Sequence, residues 1–207
     1  MTALTSPYLW YSTRATGLVS LVLFTMVVAL GALVATRVGG ARVGRFELNE
    51  LHRSVSVVAF VFLAIHVATT VVDNYVPTGP LSIFVPLTSA YRRVAVGVGA
   101  VAIDLMLAVW ISSLAKARIA VTTWRFLHWF GWLAFATALV HAYLTGTDAR
   151  HGWGLALVAL CAATGAAAGV GRVIGRPTRA AGRTALSPLA APARPSAARR
   201  ERPRGAR

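Results

Sequence analysis

Apolar residues run along the chain in five long stretches, and the short segments between them carry most of the charged residues. The stretches cover residues 16–36, 51–72, 94–115, 126–145 and 153–173. Each is about 20 residues long, which is the length that an α-helix needs to cross the roughly 30 Å of hydrocarbon in a bilayer. Helices suit this environment because they satisfy their backbone hydrogen bonds internally. The pattern predicts an all-α integral membrane bundle of five transmembrane helices, in a multi-pass protein of the cell membrane.

Composition supports this class and excludes several kinds of chemistry. The chain is 57% hydrophobic and 13% charged, whereas charged residues make up about 25% of a typical soluble domain. Its six acidic residues are scattered, so no carboxylate cluster is available for a di-metal or glycosidase-type site. The one cysteine, Cys161, excludes a disulfide framework within the chain and a set of cysteine ligands for an iron–sulfur cluster.

Lysine and arginine are distributed unequally between the two ends of the predicted helices. The segments after the first, third and fifth stretches are rich in them, and cytoplasmic loops of membrane proteins carry such an excess. In the first two of these segments the residues are Arg37, Arg42, Arg45, Arg53, Lys116, Arg118 and Arg125. This asymmetry predicts that the N-terminus lies outside and that the C-terminus is cytoplasmic.

The end of the chain, residues 176–207, has a composition of its own. It contains nine arginines and one acid, Glu201, in a background of Ala, Pro and Ser. Such a segment has too little apolar surface to order itself by burial. It has no aromatic interleaving and no recognition motif that would favour nucleic-acid binding. We predict a disordered cytoplasmic tail that lies on anionic lipid, and no nucleic-acid partner.

Four of the five histidines lie in two of the apolar stretches, His52 and His66 in the second and His128 and His141 in the fourth. Ionisable residues inside a membrane are costly and usually mark a pathway or a cofactor. The second and fourth helices are two crossings apart, so they run in the same direction. We therefore pair His52 with His128 near the cytoplasmic side, as the inner pair, and His66 with His141 near the outside, as the outer pair. At 1.5 Å per residue the two levels are about 20 Å apart.

Each pair can supply two axial nitrogens to one heme iron held between helices of a bundle. The pattern thus favours a membrane cytochrome with two hemes, in which these four histidines are the iron ligands. The spacing of fourteen between His52 and His66 returns to nearly the same helix face, whereas the spacing of thirteen between His128 and His141 does not. The latter two must use different flanks of their helix, or that helix must be distorted. The alternative is a heme-free scaffold or small transporter that uses the histidines for helix packing or proton handling.

The segment from residue 8 to residue 153 resembles the ferric reductase-like transmembrane domain, the heme-carrying membrane core of NADPH oxidases, metalloreductases and bacterial methionine sulfoxide reductase heme subunits. The resemblance rests on LHRSVSVVAFVFLAIHV around His52 and His66, and on FLHWFGWLAFATALVHAY around His128 and His141. It implies that these histidines ligate two b-type hemes and that electrons cross the bilayer. We therefore divide the chain into a heme-binding domain, residues 1–175, and the tail, residues 176–207.

The sequence differs from that family in one respect, and this difference indicates which partners the protein needs. Its full-length oxidases and reductases carry an FAD and NADPH module after the last helix, and this sequence has no G-x-G-x-x-G motif between a strand and a helix. We expect a separate electron donor, either a flavoprotein or quinol, and an extracytoplasmic acceptor or reductase subunit. The protein is then an electron-transfer component, and we assign no catalytic residue.

Three arginines are weaker candidates for the site. Arg14, at the outer end of the first helix, and Arg92 and Arg93, at the outer end of the third, could bind heme propionates through charge-assisted hydrogen bonds. They could equally be anchors at the membrane interface. The sequence leaves both interpretations open.

Two features of the remaining helices also have alternative explanations. Asp104 lies near the middle of the third helix, where an unpaired carboxylate is costly. We favour a structural hydrogen bond between helices over a part in a proton route. Gly165 and Gly169 form a small-xxx-small face on the fifth helix, which suits either helix contact or formation of an oligomer.

Overall fold

The structure, a computed structural model, describes residues 7–36, 44–73 and 78–175. In this part of the chain it has helices and no strand. The long helices are α1 (Pro7–Thr36), α2 (Arg45–Val72), α3 (Arg93–Leu114), α4 (Val121–Thr145) and α5 (Gly152–Ile174). All five are long and apolar enough to cross a membrane, which confirms the prediction of an all-helical membrane protein. The side on which each terminus lies stays a prediction, and the tail, residues 176–207, lies outside the described residues.

Three helices begin earlier than the apolar stretches predict. α1 begins at Pro7 instead of residue 16, α2 at Arg45 instead of residue 51, and α4 at Val121 instead of residue 126. The apolar run marks only the hydrocarbon-embedded part, whereas the helix continues into the interface, where polar side chains reach water. At the start of α2, for example, the Glu47 carboxylate accepts a hydrogen bond of 3.0 Å from the backbone N–H of Gly44. A negative charge there is favoured by the helix dipole.

The helices associate in a definite set of neighbours. α1 packs along α2 and α5 and also contacts α4, and α3 packs along α4. The buried core that joins them contains Leu21, Phe24, Ala59, Met106, Ala134, Phe135, Ala149, Val158 and Cys161. The two histidine-bearing helices are α2 and α4. α2 packs mainly on α1 and α4 packs mainly on α3, rather than on each other.

The glycine face of α5 is used for packing within the chain. A Cβ atom at Gly165 would overlap the ring of Phe135 on α4, and one at Gly169 would lie 3.4 Å from the ring of Trp132. The absence of side chains at these two positions lets the α4 rings approach the α5 backbone closely. Helix contact, one of the two predicted uses of this face, is what the structure has.

Two short 3-10 helices complete the described fold. Pro80–Ile83 lies in the connection between α2 and α3, and Asp148–Arg150 lies between α4 and α5. Both lie at the end of the bundle where α1 begins. Asp148 of the second 3-10 helix pairs with Arg14 of α1, and Ser82 of the first lines the same cavity as Arg14. Residues of both 3-10 helices and of the first turns of α1 line one cavity together with His66 and His141.

Candidate functional site

The inner pair of histidines meets between α2 and α4. The ring centroids of His52 and His128 are 6.3 Å apart, and the ring planes are inclined at 66°. The two residues are 76 positions apart in the sequence, so only the helix directions and their register bring them together. Helix packing thus places these two imidazoles close together, edge to face, at one level of the bundle.

The outer pair lines one cavity. His66 of α2 and His141 of α4 both contribute to its wall, and its volume is about 300 Å³. Side chains from α1, α3 and the connections at the outer end form the rest of the wall. The structure therefore brings the second predicted pair to the wall of a single, partly open cavity.

Helix α1 fixes the separation between the two levels. The Nδ1 atom of His52 donates a hydrogen bond of 3.0 Å to the carbonyl oxygen of Val27, and that of His66 donates one of 2.8 Å to Thr13. Thr13 and Val27 are 14 residues apart, which is about 21 Å at 1.5 Å per residue. The levels are thus separated along α1 by the distance expected from the spacing along α2.

A third histidine has the same kind of backbone partner. Nδ1 of His141 donates to the carbonyl oxygen of Ala95 on α3, at 2.8 Å. Because a carbonyl oxygen only accepts, Nδ1 of each of these three rings carries the proton. The other ring nitrogen, Nε2, then keeps its lone pair, which is the form in which imidazole binds a metal.

His128 is held differently. Its Nδ1 atom is buried and has no hydrogen-bond partner among the described residues. Its ring stacks on Trp124, with centroids 5.0 Å apart and planes inclined at 29°. The ammonium group of Lys116 lies 4.1 Å from the centre of the Trp124 ring. The inner pair therefore consists of one histidine bound to a backbone carbonyl and one supported only by ring packing.

The thirteen-residue spacing on α4 is accommodated without a break. α4 is a continuous helix from Val121 to Thr145. His128 faces His52 on α2, whereas His141 faces the α3 backbone at Ala95. Of the two alternatives left by the sequence, the structure has the one in which the two histidines use different flanks.

The donor set fits heme better than a bare metal ion. No group of three or more His, Cys, Asp or Glu that could hold a metal ion occurs in the part of the chain the structure describes. Two imidazoles leave a bare ion short of ligands, but they complete the axial positions of a heme iron.

Arg14 lies in the wall of the outer cavity. Its guanidinium group forms an ion pair with Asp148, donates a hydrogen bond of 2.7 Å to Thr147 Oγ1, and lies 4.3 Å from the ring centre of Trp10. Arg14 thus joins the start of α1 to the connection between α4 and α5. It is the one of the three predicted arginines that lines this cavity.

Arg92 and Arg93 bind backbone carbonyls instead. Arg92 donates to the carbonyl oxygens of Leu144 and Thr145, at 2.9 and 3.2 Å, at the end of α4. Arg93 donates to the carbonyl oxygen of Leu87 in the connection before α3. Arg92 therefore joins the start of α3 to the end of α4, and Arg93 holds the connection that precedes α3. Neither is among the residues that line the cavity.

Several polar residues of the outer cavity were not found by sequence reasoning. Thr70, Asp73, Thr78 and Ser82 line it near the end of α2 and the following connection. Asp73 is 5% exposed although it follows the last residue of α2. No short motif joins these positions, so only the fold brings them together.

Asp104 is not located between helices as favoured above. Its side chain is exposed on the surface of α3, and no interhelical hydrogen bond to it is found within the described residues. The rotation of α3 about its axis turns this position outward, toward the lipid. The structural hydrogen bond predicted for Asp104 within the bundle is therefore wrong for the described part of the chain.

Comparison with known proteins agrees with the resemblance. Residues 16–139 match the model of the family described as the ferric reductase like transmembrane component, which is more than half of the 207 residues. The chain belongs to this family. No curated protein and no solved structure matched the chain.

The family match is consistent with the site but does not cover all of it. The matched region of this ferric reductase-like protein contains His52, His66 and His128 and ends just before His141. Membership identifies a multi-pass membrane protein and points to transmembrane electron transfer as its general role. The family is generally heme-binding, which agrees with the donor set described above.

Proposed function

We propose that this ferric reductase-like protein is a transmembrane b-type cytochrome. His52 and His128 ligate an inner heme, and His66 and His141 ligate an outer heme. The observation that carries the proposal is that two of the histidines approach each other at one level, while the other two line one cavity. The backbone partners of the two levels on α1, Val27 and Thr13, lie about 21 Å apart. A pair of histidines used only to join helices would need neither this separation nor a shared cavity.

Two hemes bound at these levels would supply reversible one-electron redox chemistry within the hydrocarbon layer. The protein's own residues bind and orient them. Three backbone carbonyls hold the imidazoles in the tautomer that leaves Nε2 available as a ligand. The fourth imidazole, that of His128, is held by stacking on Trp124.

Aromatic side chains occupy the region between the two levels. The ring of Phe60 stacks on Trp110, with centroids 4.9 Å apart, and meets Phe24 edge to face at 5.4 Å. Phe60 lies between His52 and His66 on α2. This packing places apolar rings between the two pairs of histidines.

The two ends of the site differ in the partners that they suit. At the outer end, Arg14 in the cavity wall is the first candidate for a propionate contact. Arg92 and Arg93, at the start of α3, are the further candidates. At the inner end, Lys116 packs on Trp124 and Arg172 donates to the carbonyl oxygen of Gly31 at 3.5 Å. These cations favour an anionic donor such as a reduced flavoprotein, with quinol as the other candidate donor.

We propose a direction of electron flow on the predicted orientation of the chain. With the C-terminus cytoplasmic, electrons enter at the inner pair and leave at the outer pair, toward an extracytoplasmic acceptor or a reductase subunit. The cell membrane is the proposed location. The arginine-rich tail, residues 176–207, is proposed to bind anionic lipid, and nucleic acid is not a proposed partner.

Heme content tests the proposal directly. The experiment is a dithionite-reduced minus air-oxidised visible spectrum of the protein purified in detergent, together with heme per polypeptide from a pyridine hemochrome assay. We expect a b-type α band and two hemes per chain. A folded, heme-supplied protein without heme absorbance would refute the cytochrome and favour a heme-free scaffold or transporter.

Histidine variants test the ligand assignment. His66→Ala and His141→Ala should each remove the outer heme and keep the inner one, because each outer imidazole serves the same iron. His151→Ala is the matched control, since this exposed histidine lies in the connection before α5. Full heme content in His66→Ala would show that the assignment is wrong.

A further inference from the structure

Three of the four histidines pack directly against a glycine of a neighbouring helix. A Cβ atom at Gly31 would lie 3.2 Å from the His52 ring, one at Gly17 would lie 2.9 Å from the His66 ring, and one at Gly99 would lie 2.5 Å from the His141 ring. Gly17 and Gly31 belong to α1, and Gly99 belongs to α3. A Cβ at Gly17 or Gly99 would occupy space that the imidazole now fills, whereas one at Gly31 would press on the His52 ring and displace it slightly.

The same register recurs at all three contacts. Each carbonyl oxygen that accepts from the imidazole belongs to the residue four positions before the glycine. The three pairs of carbonyl and glycine are Thr13 with Gly17, Val27 with Gly31, and Ala95 with Gly99.

Helix geometry explains this register. In an α-helix the carbonyl of residue i is bonded to the N–H of residue i+4, and the side chain at i+4 lies beside that bond. Glycine at i+4 leaves the flank of the carbonyl open, and the oxygen has a second lone pair for the imidazole N–H. Only a glycine lets the ring reach the backbone at this point.

We propose that Gly17, Gly31 and Gly99, each with the carbonyl four residues before it, are positioning sites for the heme ligands. We call each such pair of glycine and carbonyl a ligand seat. The inference rests on the proposed function and goes beyond it, because it assigns a role to residues that carry no side-chain chemistry. A seat sets the depth at which its imidazole lies and keeps Nε2 unprotonated and directed away from the seat.

The seats are distributed unequally between the two levels. His66 and His141 both have one, so the outer level has two seated ligands. At the inner level His52 has a seat, whereas His128 stacks on Trp124 and its Nδ1 has no partner in the described part of the chain. The outer heme is therefore the one whose ligands are held on both sides by backbone.

Substitution of the glycines tests the seats. Gly99→Ala and Gly17→Ala should weaken binding of the outer heme, by roughly 10- to 100-fold if they act like the loss of other outer-shell partners of a metal ligand. Gly31→Ala should keep both hemes, because its contact distance is the longest, and should alter only the inner heme. The size of the effect should follow the order Gly99, Gly17, Gly31, which is the order of the distances above.

The controls are two glycines that do not touch histidine, one in α4 and one in α3. A Cβ at Gly131 in α4 meets nothing within 4 Å. A Cβ at Gly97 in α3 would lie 2.9 Å from the backbone nitrogen of Leu87. The new methyl group in Gly97→Ala is thus as crowded as that in Gly17→Ala, but it presses on the loop at Leu87 instead of on a histidine. This control therefore distinguishes a general packing defect from displacement of a heme ligand.

The readouts are heme per polypeptide, the low-spin ferric EPR signal and the midpoint potential of each heme. The last two report ligand geometry and Nδ1 hydrogen bonding, which a purely structural role would leave unchanged. We expect changed EPR signals and potentials in the three seat variants and wild-type values in Gly131→Ala and Gly97→Ala. If Gly99→Ala and Gly17→Ala do not accumulate, Gly31→Ala decides, and a wild-type EPR signal and potential there would overturn the seats.

Different results would refute the ligand seats and the proposed cytochrome. Two hemes in the wild-type protein, with unchanged spectra in all seat variants, would refute the seats and leave the cytochrome standing. Seat variants that match Gly97→Ala in every readout would refute them equally. A wild-type protein that binds no heme would refute both.

Discussion

Replacing Arg14 by alanine removes three contacts at the outer end of the bundle. The ion pair with Asp148 is partly exposed, at 19% for the Arg14 side chain and 49% for that of Asp148, so we assign it at most about 1 kcal/mol. The hydrogen bond from the charged guanidinium to Thr147 is worth about 1.5 kcal/mol. Packing over the Trp10 ring adds about 0.5 kcal/mol. The total is about 3 kcal/mol.

This loss should appear as a lower thermal stability. For a chain of this size, 3 kcal/mol corresponds to a fall in Tm of about 6–12 °C, measured by thermal unfolding of the detergent-solubilised protein. Asp148→Asn, which removes only the charge of the partner, should cost less than about 1 kcal/mol. A fall of Tm in Asp148→Asn as large as that in Arg14→Ala would refute this division of the energy.

The same two variants separate the two interpretations of Arg14. If Arg14 contacts a propionate of the outer heme, Arg14→Ala should alter the EPR signal and midpoint potential of that heme, whereas Asp148→Asn should alter them less. If Arg14 is only an anchor between α1 and the outer connection, both variants should keep the wild-type heme signals. A large change of the heme signals in Asp148→Asn alone would contradict both interpretations.

Three further predictions concern other parts of the bundle. Asp104→Leu should favour insertion of α3 by about 3–4 kcal/mol in a translocon insertion assay and leave heme content unchanged, because the side chain is exposed on α3. Gly165→Leu should lower the stability by about 1–3 kcal/mol through overpacking against Phe135, measured as Tm, whereas Gly171→Leu should not. Carbon monoxide should bind the reduced inner heme before the outer one, because His128 has no seat, and visible difference spectra will detect this.

Each of these predictions has a contradicting result. A loss of heme in Asp104→Leu would mean that this carboxylate supports the site. Equal Tm values for Gly165→Leu and Gly171→Leu would mean that the contact between α5 and α4 contributes little to stability, since a Cβ at Gly171 meets nothing within 4 Å. Binding of carbon monoxide first at the outer heme would show that seats do not govern ligand exchange.

The helices and the histidine levels could be predicted from the sequence because both depend on fixed helix geometry. An apolar run of about 20 residues crosses the membrane, and a rise of 1.5 Å per residue converts the spacing of His52 and His66 into a depth. The start of α1 at Pro7 could not be predicted in this way. Residues there face the interface, where hydropathy no longer distinguishes helix from loop.

Contacts between helices were beyond the sequence for a different reason. Every residue has a carbonyl, so nothing in the side chains marks Thr13, Val27 or Ala95 as acceptors. The glycines four positions later are the only feature of the sequence that marks these carbonyls. They are informative only once a histidine of another helix is known to pack against them. The outward direction of Asp104 likewise depends on the rotation of α3 in the bundle, which its own sequence does not determine.

Because α1 carries two seats, the spacing between them sets the distance between the two heme levels. Gly17 and Gly31 are 14 residues apart, so they lie within about 40° of the same face at 100° per residue. Substitutions on other faces of α1 do not change the angle between these two glycines around the helix axis. Insertion or deletion of one residue between them would turn one seat by about 100° relative to the other, and α2 could then satisfy only one level. The length of this segment, rather than the identity of most of its residues, is what α1 must preserve.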